Sequence, residues 1–197
     1  MDLPALGAVL AGYLLGSIDF GVIIPRIRGV DIYVTGSGNP GATNVLRSMG
    51  RVSAAAVLVG DLFKGVAAAA VGDLVGGEAL GFAAGLVAVV GHCFPVWYRF
   101  KGGKGVAAAG GALFWLEPWL GLILLGVWIA VVAITKRASI ASLALAVLYV
   151  PGLVVFGHRA WSLVWAGAAA LLIVVRHWGN IRRLVSGAEH TIGEATS

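Results

Sequence analysis

The sequence predicts an all-α integral membrane protein that crosses the bilayer about seven times. Of its 197 residues, 59% are hydrophobic and only 12% are charged, whereas soluble domains carry about 25% charged residues. The apolar residues form runs, and most of these approach the roughly 20 residues that a hydrocarbon layer of about 30 Å requires. The runs cover residues 3–25, 53–72, 79–98, 105–116, 118–135, 139–157 and 160–176.

The first run is expected to remain as a membrane helix. The residues from Met1 to Pro4 include no basic side chain, whereas cleavable secretory signals begin with a positively charged region. No linker or long polar block divides the chain, so residues 1–197 are predicted to form a single transmembrane domain.

The distribution of charge predicts the orientation in the membrane. If all seven runs cross, twelve of the fourteen lysine and arginine residues share one face. Because basic loops stay in the cytoplasm, the N-terminus is predicted outside and the C-terminus inside. The twelve are Arg26, Arg28, Arg47, Arg51, Arg99, Lys101, Lys104, Lys136, Arg137, Arg176, Arg182 and Arg183.

The fourth run, residues 105–116, is short for a crossing. It could begin earlier, at Gly102, thin the bilayer locally or be re-entrant, and five or six spans are therefore the alternative. Without this crossing Lys136 and Arg137 would move to the outside, so the charge distribution favours seven spans.

Several residues inside the runs predict internal contacts. Gly81 and Gly85 predict close approach between helices, and we interpret Cys93, the single cysteine, as a small apolar filler.

Charged residues at membrane depth predict ion pairs. Asp61 and Lys64 lie three residues apart in one run, a spacing that permits a neutralising pair. Asp19 lies within the first run and is expected to pair with Lys64 or with an arginine from a loop.

A polar, glycine-rich loop follows the first run, and long loops in compact proteins are usually functional. Its glycines let backbone N–H groups turn toward an anion, the segment after Pro40 has helical character, and Arg47 offers a planar charged group suited to phosphate. A flexible solvated loop is the alternative. The candidate ligand residues are Gly36, Ser37, Gly38, Asn39, Gly41, Thr43, Asn44 and Arg47.

A second candidate segment, Gly91–Gly105, ends with a lysine among glycines. Lys104 would present a point charge beside open backbone amides, although the spacing of a nucleotide-binding loop is absent. The alternative is that the basic residues of this segment anchor anionic lipid headgroups. We interpret His92 as a packed structural histidine. The candidate ligand residues are Gly102, Gly103, Lys104 and Gly105.

The third candidate segment follows the last run. His177 and Asn180 are three residues apart, a spacing that places them on one helical face. A stop-transfer sequence is the alternative, and it explains Arg182 and Arg183 but not Asn180. At the start of another run, Ser139 is expected to cap a helix, whereas Ser142, one turn deeper, is free to meet a ligand.

Together these segments resemble the membrane-bound bacterial acyl-phosphate:glycerol-3-phosphate acyltransferases, the PlsY family. The match extends in order from the first run almost to the end of the chain. One departure is visible, because Asp19 stands where the family usually has proline after Gly-Ser-Ile. The matching residues are Gly16–Ile18, Gly36–Arg47, Asp61, Lys64, Gly65, Gly91–Gly105, Arg176, His177, Asn180–Arg183, Gly187, Glu189 and Gly193.

The resemblance implies that an acyl group passes from acyl phosphate to the 1-hydroxyl of glycerol 3-phosphate, giving lysophosphatidic acid and phosphate. It implies that the Gly38–Gly41 backbone, Thr43 and Asn44 hold the acyl-phosphate group, and that no cofactor or metal takes part. The residues implied to line the glycerol 3-phosphate pocket are Ser37, Arg47, Lys104, Ser142, His177 and Asn180.

We expect no strong protein base. We expect no acidic residue beside any histidine to form a relay. The His-x4-Asp signature of coenzyme A-dependent acyltransferases is also absent, since Trp97 follows His92 at that distance and Arg182 follows His177. The phosphate of acyl phosphate is therefore expected to accept the proton.

The implied setting is the bacterial cytoplasmic (inner) membrane, with the active site on its cytoplasmic side. Membrane lipids and both substrates are the expected partners, a soluble enzyme that produces acyl phosphate is implied by the chemistry, and nucleic acid is not expected. Two other classes remain open: a small transporter of organophosphate anions and a lipid-binding scaffold without catalysis.

Overall fold

A computed structural model describes residues 2–192, and these form helices and loops without a strand. The all-α prediction is confirmed. The helices are α1 (Leu3–Gly16), α2 (Phe20–Ile27), α3 (Ala42–Met49), α4 (Arg51–Gly76), α5 (Glu78–Cys93), α6 (Val106–Leu116), α7 (Pro118–Thr135), α8 (Ala138–Val155), α9 (Trp161–Arg176) and α10 (Trp178–Val185), with a short 3-10 helix at Val96–Tyr98.

Most of these helices are long and apolar enough to span a bilayer. Five segments qualify by length and composition: α1 with α2, α4, α5 with the 3-10 helix, α7 and α8. The pair α9 and α10, bent by 53°, makes a sixth if it is one span. The eleven residues of α6 extend only about 16 Å at 1.5 Å per residue. This helix begins at Val106, so the alternative start at Gly102 is wrong.

Contacts between loops define two ends of the helix bundle. At the acidic end, His158 before α9 lies 3.0 Å from Glu78 at the start of α5 and 3.2 Å from Glu117 between α6 and α7. At the basic end, Arg176 in the last turn of α9 donates a hydrogen bond to the carbonyl oxygen of Gly103 before α6. Thus α5, α6 and α9 each connect the two ends. The number of bilayer crossings and the cytoplasmic end both stay predictions.

Small residues allow the helices to approach closely. Gly111 of α6 faces the backbone of Leu62 in α4, where a Cβ would collide with the carbonyl oxygen. A Cβ at Gly81 would lie 2.7 Å from the Leu116 side chain, and a Cβ at Gly85 would be similarly crowded by α6. The predicted close contacts of these two α5 glycines are confirmed, and they are typical of helix packing in lipid.

The first apolar run is interrupted at residues 17–19, where α1 ends and α2 begins. Lys64 enters this break from α4: its Nζ donates to the Ile18 carbonyl oxygen at 2.7 Å and lies 2.7 Å from Asp61 Oδ1. The predicted Asp61–Lys64 pair is confirmed. Asp19 is fully buried, but within residues 2–192 no lysine or arginine lies within 4.0 Å of its carboxylate, so the predicted partner is wrong.

Apolar side chains also cover the outside of the helix bundle. In α7 only Leu120, Gly121 and Leu124 are buried, while Leu122 and Ile129 are more than half exposed. A surface of this kind is stable in lipid but not in water.

Candidate active site

A cavity of about 410 Å³ lies at the basic end of the bundle, and it brings the three candidate segments together. Eleven of the predicted site residues line it: Ser37, Asn39, Gly41, Thr43, Asn44, Arg47, Lys104, Gly105, Ser142, His177 and Asn180. The other predicted ligand residues, Gly36, Gly38, Gly102 and Gly103, are not among its lining residues and shape the loops around it instead.

The first loop is held in place by a side chain within it. Asn44, in the first turn of α3, accepts a hydrogen bond from the Ser37 backbone N–H at 2.9 Å and donates one to the Thr35 carbonyl oxygen at 2.9 Å. Gly38 has φ +68°, a left-handed conformation that glycine adopts without strain. Asn44 therefore orients the loop that presents Ser37 to the cavity.

The second loop is fixed mainly through its backbone. Arg176 donates to the Gly102 carbonyl oxygen at 2.8 Å and to that of Gly103 at 3.1 Å, and the Gly103 N–H donates to the His92 carbonyl oxygen at 3.0 Å. The Tyr33 hydroxyl donates to the Lys101 carbonyl oxygen at 2.6 Å and so joins this loop to the first. These hydrogen bonds fix the conformation of the backbone segment that precedes Lys104.

Lys104 is linked to the third segment by a chain of hydrogen bonds. Its Nζ donates to Asn180 Oδ1 at 2.5 Å, and Asn180 Nδ2 donates to Glu189 Oε1 at 2.5 Å. Arg183 Nε donates to the second Glu189 oxygen at 2.9 Å. Along this wall the Asn180 amide thus joins the Lys104 ammonium to the Glu189–Arg183 ion pair.

The charges of this wall shift the pKa values of its members. Burial lowers the pKa of Lys104 from 10.5 to about 8, an effect that Glu189 opposes and the Arg183 and Arg47 charges reinforce. Burial acts to raise the pKa of Glu189, but the nearby Ser139 hydroxyl, the Asn180 amide and the Arg183 guanidinium outweigh it, so the pKa is lowered. Glu189 is therefore ionised at neutral pH.

His177 and Ser142 complete the polar part of the cavity. His177 lies at the junction of α9 and α10, and its Nδ1 is 2.7 Å from the Ile173 carbonyl oxygen. Since a carbonyl oxygen can only accept, Nδ1 carries a proton and Nε2 is the nitrogen left for a ligand. The Ser142 hydroxyl donates to the Ala138 carbonyl oxygen at 2.9 Å.

The predicted cap of α8 is wrong. The helix begins at Ala138, and no side chain of the preceding Arg137 or of Ser139 caps it. Ser139 instead lies in the cavity wall, near Glu189.

The cavity continues from its polar end into an apolar groove. Leu58 of α4 and Leu125 of α7 line the groove and are each 43% exposed. Both residues belong to helices long and apolar enough to span a bilayer, so an alkyl chain in the groove would lie at membrane depth. The apolar lining comprises Leu58, Leu62, Leu113, Phe114, Leu124, Leu125, Trp128 and Tyr149.

Three buried residues beside the cavity could in principle hold a metal ion. Asp19, Asp61 and His92 each offer one ligand atom within 4.8 Å of the others. Lys64, however, already places its ammonium 2.7 Å from Asp61, and a metal ion would be repelled by that charge. The donor set therefore fits a metal poorly.

Sequence reasoning missed three features of this region. Acidic groups do lie beside histidines, because Asp61 is 3.6 Å from His92 and Glu78 is 3.0 Å from His158; the expectation that none would do so is wrong. The roles of Arg176 and Glu189 in holding the loops were also missed. One signal was present, since Glu189 is one of only two acidic residues after Glu117 in the sequence.

Comparisons with known proteins agree with this arrangement. The sequence profile of the glycerol-3-phosphate acyltransferase family matches residues 6–187. The chain belongs to this family. The glycerol-3-phosphate acyltransferase of Sinorhizobium medicae is 45% identical over an alignment of 196 residues, which covers 98% of this chain and 96% of that protein. The enzyme of the same name from Coxiella burnetii (strain RSA 493 / Nine Mile phase I) is 43% identical over an alignment of 188 residues, which covers 94% of this chain and 96% of that enzyme.

Two solved structures of the family share the fold. The crystal structure of PlsY, an integral membrane glycerol 3-phosphate acyltransferase, in its glycerol 3-phosphate form, has a TM-score of 0.93 and 39% identity over 96% of each chain. Its lysophosphatidic acid form has a TM-score of 0.90 and 39% identity, covering 95% of this chain and 94% of that one. The resemblance to the PlsY family and the multi-pass membrane fold are confirmed. Gly193, also part of that resemblance, lies outside the described residues.

Proposed function

We propose that this acyltransferase moves an acyl group from acyl phosphate to the 1-hydroxyl of glycerol 3-phosphate, releasing lysophosphatidic acid and phosphate. The observation that carries the proposal is the continuity of one cavity, which joins a cationic polar end to an apolar groove open to lipid. A soluble dianion fits the first part and a fatty chain fits the second. Few other pairs of substrates require both a cationic pocket and an apolar groove.

The cations of the polar end would bind phosphoryl oxygens. Lys104 and Arg47 line the cavity and lie close enough for their charges to interact. Ser37, His177 and Asn180 add neutral hydrogen-bonding groups around them, and these would orient the glycerol hydroxyl. The Gly38–Gly41 backbone, Thr43 and Asn44 would support the acyl-phosphate group, although the Asn44 amide already bonds its own loop.

The reaction then needs little covalent help from the protein. The glycerol oxygen attacks the acyl carbon, a new ester bond forms, and the bond from the acyl carbon to the phosphate oxygen breaks. The electron pair leaves with phosphate, which also takes the hydroxyl proton. Because acyl phosphate is already activated, orientation and stabilisation of negative charge supply most of the acceleration.

The proposed setting follows from the same arrangement. The whole chain, residues 1–197, would act as one transmembrane domain in the bacterial cytoplasmic (inner) membrane, with the basic end and the active site facing the cytoplasm. Glycerol 3-phosphate and a soluble enzyme that supplies acyl phosphate would meet the cavity there. Seven crossings with the N-terminus outside would satisfy the charge distribution.

Purified protein in lipid vesicles, supplied with radiolabelled glycerol 3-phosphate and acyl phosphate, tests the proposal. Formation of labelled lysophosphatidic acid is expected. A transporter of organophosphate anions would instead equilibrate the unchanged label across the vesicle membrane, and a scaffold would do neither. Either of those two results without lysophosphatidic acid would overturn the proposal.

A further inference from the structure

His92, near the end of α5, lines the cavity but has no role in the reaction as described so far. It is only 3% exposed. Its Nε2 lies directly against Gly103, where a Cβ would collide with it, and the same space is bordered by the Pro40 carbonyl oxygen. One edge of the imidazole is therefore turned toward the two loops that form the substrate site.

The other edge of the ring faces a carboxylate. His92 Nδ1 is 3.6 Å from Asp61 Oδ1, and Asp61 is itself held by Lys64 at 2.7 Å. A carboxylate behind one ring nitrogen orients an imidazole and directs the other nitrogen at a ligand.

Three buried charged side chains surround His92. Asp19, Asp61 and Lys64 are all at most 2% exposed, and two carboxylates against one ammonium leave one negative charge. Both Asp19 carboxylate oxygens are buried without a hydrogen-bond partner among the described residues. Buried charges in membrane proteins are normally compensated. The His92 ring lies among these groups, with a nitrogen within 4.8 Å of an oxygen of each carboxylate, and its two nitrogens face Asp61 and the substrate loops.

We propose that His92 is a further substrate-contacting residue, which donates a hydrogen bond from Nε2 to an oxygen of acyl phosphate. The inference rests on the proposed function. Acyl phosphate is the substrate concerned because Nε2 lies beside Pro40, within the Gly38–Gly41 segment proposed to support that group. Such a charge-assisted bond would stabilise the negative charge that develops on the oxygens as the ester forms.

Two substitutions separate this role from a structural one. His92→Asn keeps an amide near the Nδ1 position, where it can still reach Asp61, but has no donor near Nε2. His92→Gln places its amide near Nε2. Loss of a charge-assisted hydrogen bond reduces kcat/KM by roughly tenfold or more. We expect that loss for acyl phosphate in His92→Asn, under about a threefold loss in His92→Gln, and a KM for glycerol 3-phosphate that changes less than twofold in both.

Several results would overturn the inference while the proposed function stands. The inference fails if His92→Asn equals or exceeds His92→Gln in activity, because the Asp61 contact is then the important one. It also fails if the substitutions change only the KM for glycerol 3-phosphate. Loss of wild-type activity on chelation with EDTA, restored by a divalent cation, would make His92 a metal ligand instead. Failure of the proposed function is distinguishable, because then wild-type protein forms no lysophosphatidic acid.

A measurement on wild-type protein covers the case in which both variants fold poorly. In ¹⁵N-histidine NMR, a hydrolysis-resistant phosphonate analogue of acyl phosphate should shift the His92 Nε2 signal, and glycerol 3-phosphate alone should not. An unchanged His92 signal at saturating phosphonate would contradict the contact.

Discussion

The Lys104 ammonium lies 2.5 Å from the Asn180 side-chain oxygen, a contact between residues 76 positions apart in the chain. It connects the glycine-rich loop before α6 to α10. Asn180 in turn donates a hydrogen bond to Glu189, and Glu189 accepts another from Arg183. The position of the cation at the active site therefore depends on the C-terminal segment as well as on its own loop.

Removal of the Lys104 charge should impair binding of glycerol 3-phosphate. We expect Lys104→Ala to lower kcat/KM for this substrate by roughly a hundredfold, since the loss of one such group from a buried site costs about 2.7–4 kcal/mol. Lys101→Ala is the matched control: its side chain is exposed in the same loop, and its loss should change kcat/KM less than twofold. Near-full activity of Lys104→Ala would refute the charge role.

The lowered pKa of Lys104 predicts a pH dependence. The charged ammonium binds phosphate and predominates below about pH 8, so kcat/KM for glycerol 3-phosphate should fall as the pH rises through 8 and the lysine loses its proton. A Lys104→Arg variant stays charged throughout this range, and its profile should be flat, although its absolute activity is lower. Initial rates between pH 6.5 and 9.5 test this, and a flat wild-type profile would count against it.

Glu189 should act by positioning Asn180 and Arg183. Glu189→Ala removes both contacts and is expected to lower kcat/KM for glycerol 3-phosphate by about tenfold. Glu189→Gln retains an oxygen that can accept from Asn180, so kcat/KM should fall only about threefold in this variant. Glu117→Ala, at the acidic end, removes a similar contact with His158 and should leave kcat/KM unchanged. Equal losses in Glu189→Ala and Glu117→Ala would indicate a general effect on folding.

His177 tests where the proton goes. If the phosphate of acyl phosphate accepts it, His177 contributes a hydrogen bond through Nε2, and His177→Ala should lower kcat by about ten- to a hundredfold without abolishing it. Complete loss of activity with unchanged binding of glycerol 3-phosphate, measured by calorimetry, would identify His177 as a protein base instead.

Sequence patterns predicted the membrane helices and the three segments of the site because composition and local spacing carry that information. The Asp61–Lys64 pair could be predicted for the same reason, since three residues on one helix fix its geometry. The Asp61–His92 contact could not, because it depends on how α4 packs against α5. The bonds of Glu189 likewise depend on the tertiary course of the tail after α10.

Close packing of α4 and α6 is a further testable feature. Gly111→Ala would force its Cβ against the Leu62 carbonyl oxygen, so we expect a loss of about 1–3 kcal/mol in the free energy of unfolding. Gly126→Ala in α7 is the control, because nothing lies within 4 Å of a Cβ there, and it should be neutral or slightly stabilising. Thermal unfolding in detergent compares the two, and equal midpoints would contradict the packing described.

We propose that one cavity brings acyl phosphate and glycerol 3-phosphate together for direct transfer. Phosphorus NMR of wild-type protein with both substrates follows every phosphorus atom at once. Direct transfer predicts one lysophosphatidic acid for each phosphate released, and no product when acyl coenzyme A replaces acyl phosphate. Release of phosphate without lysophosphatidic acid, or product formed only from acyl coenzyme A, would contradict it.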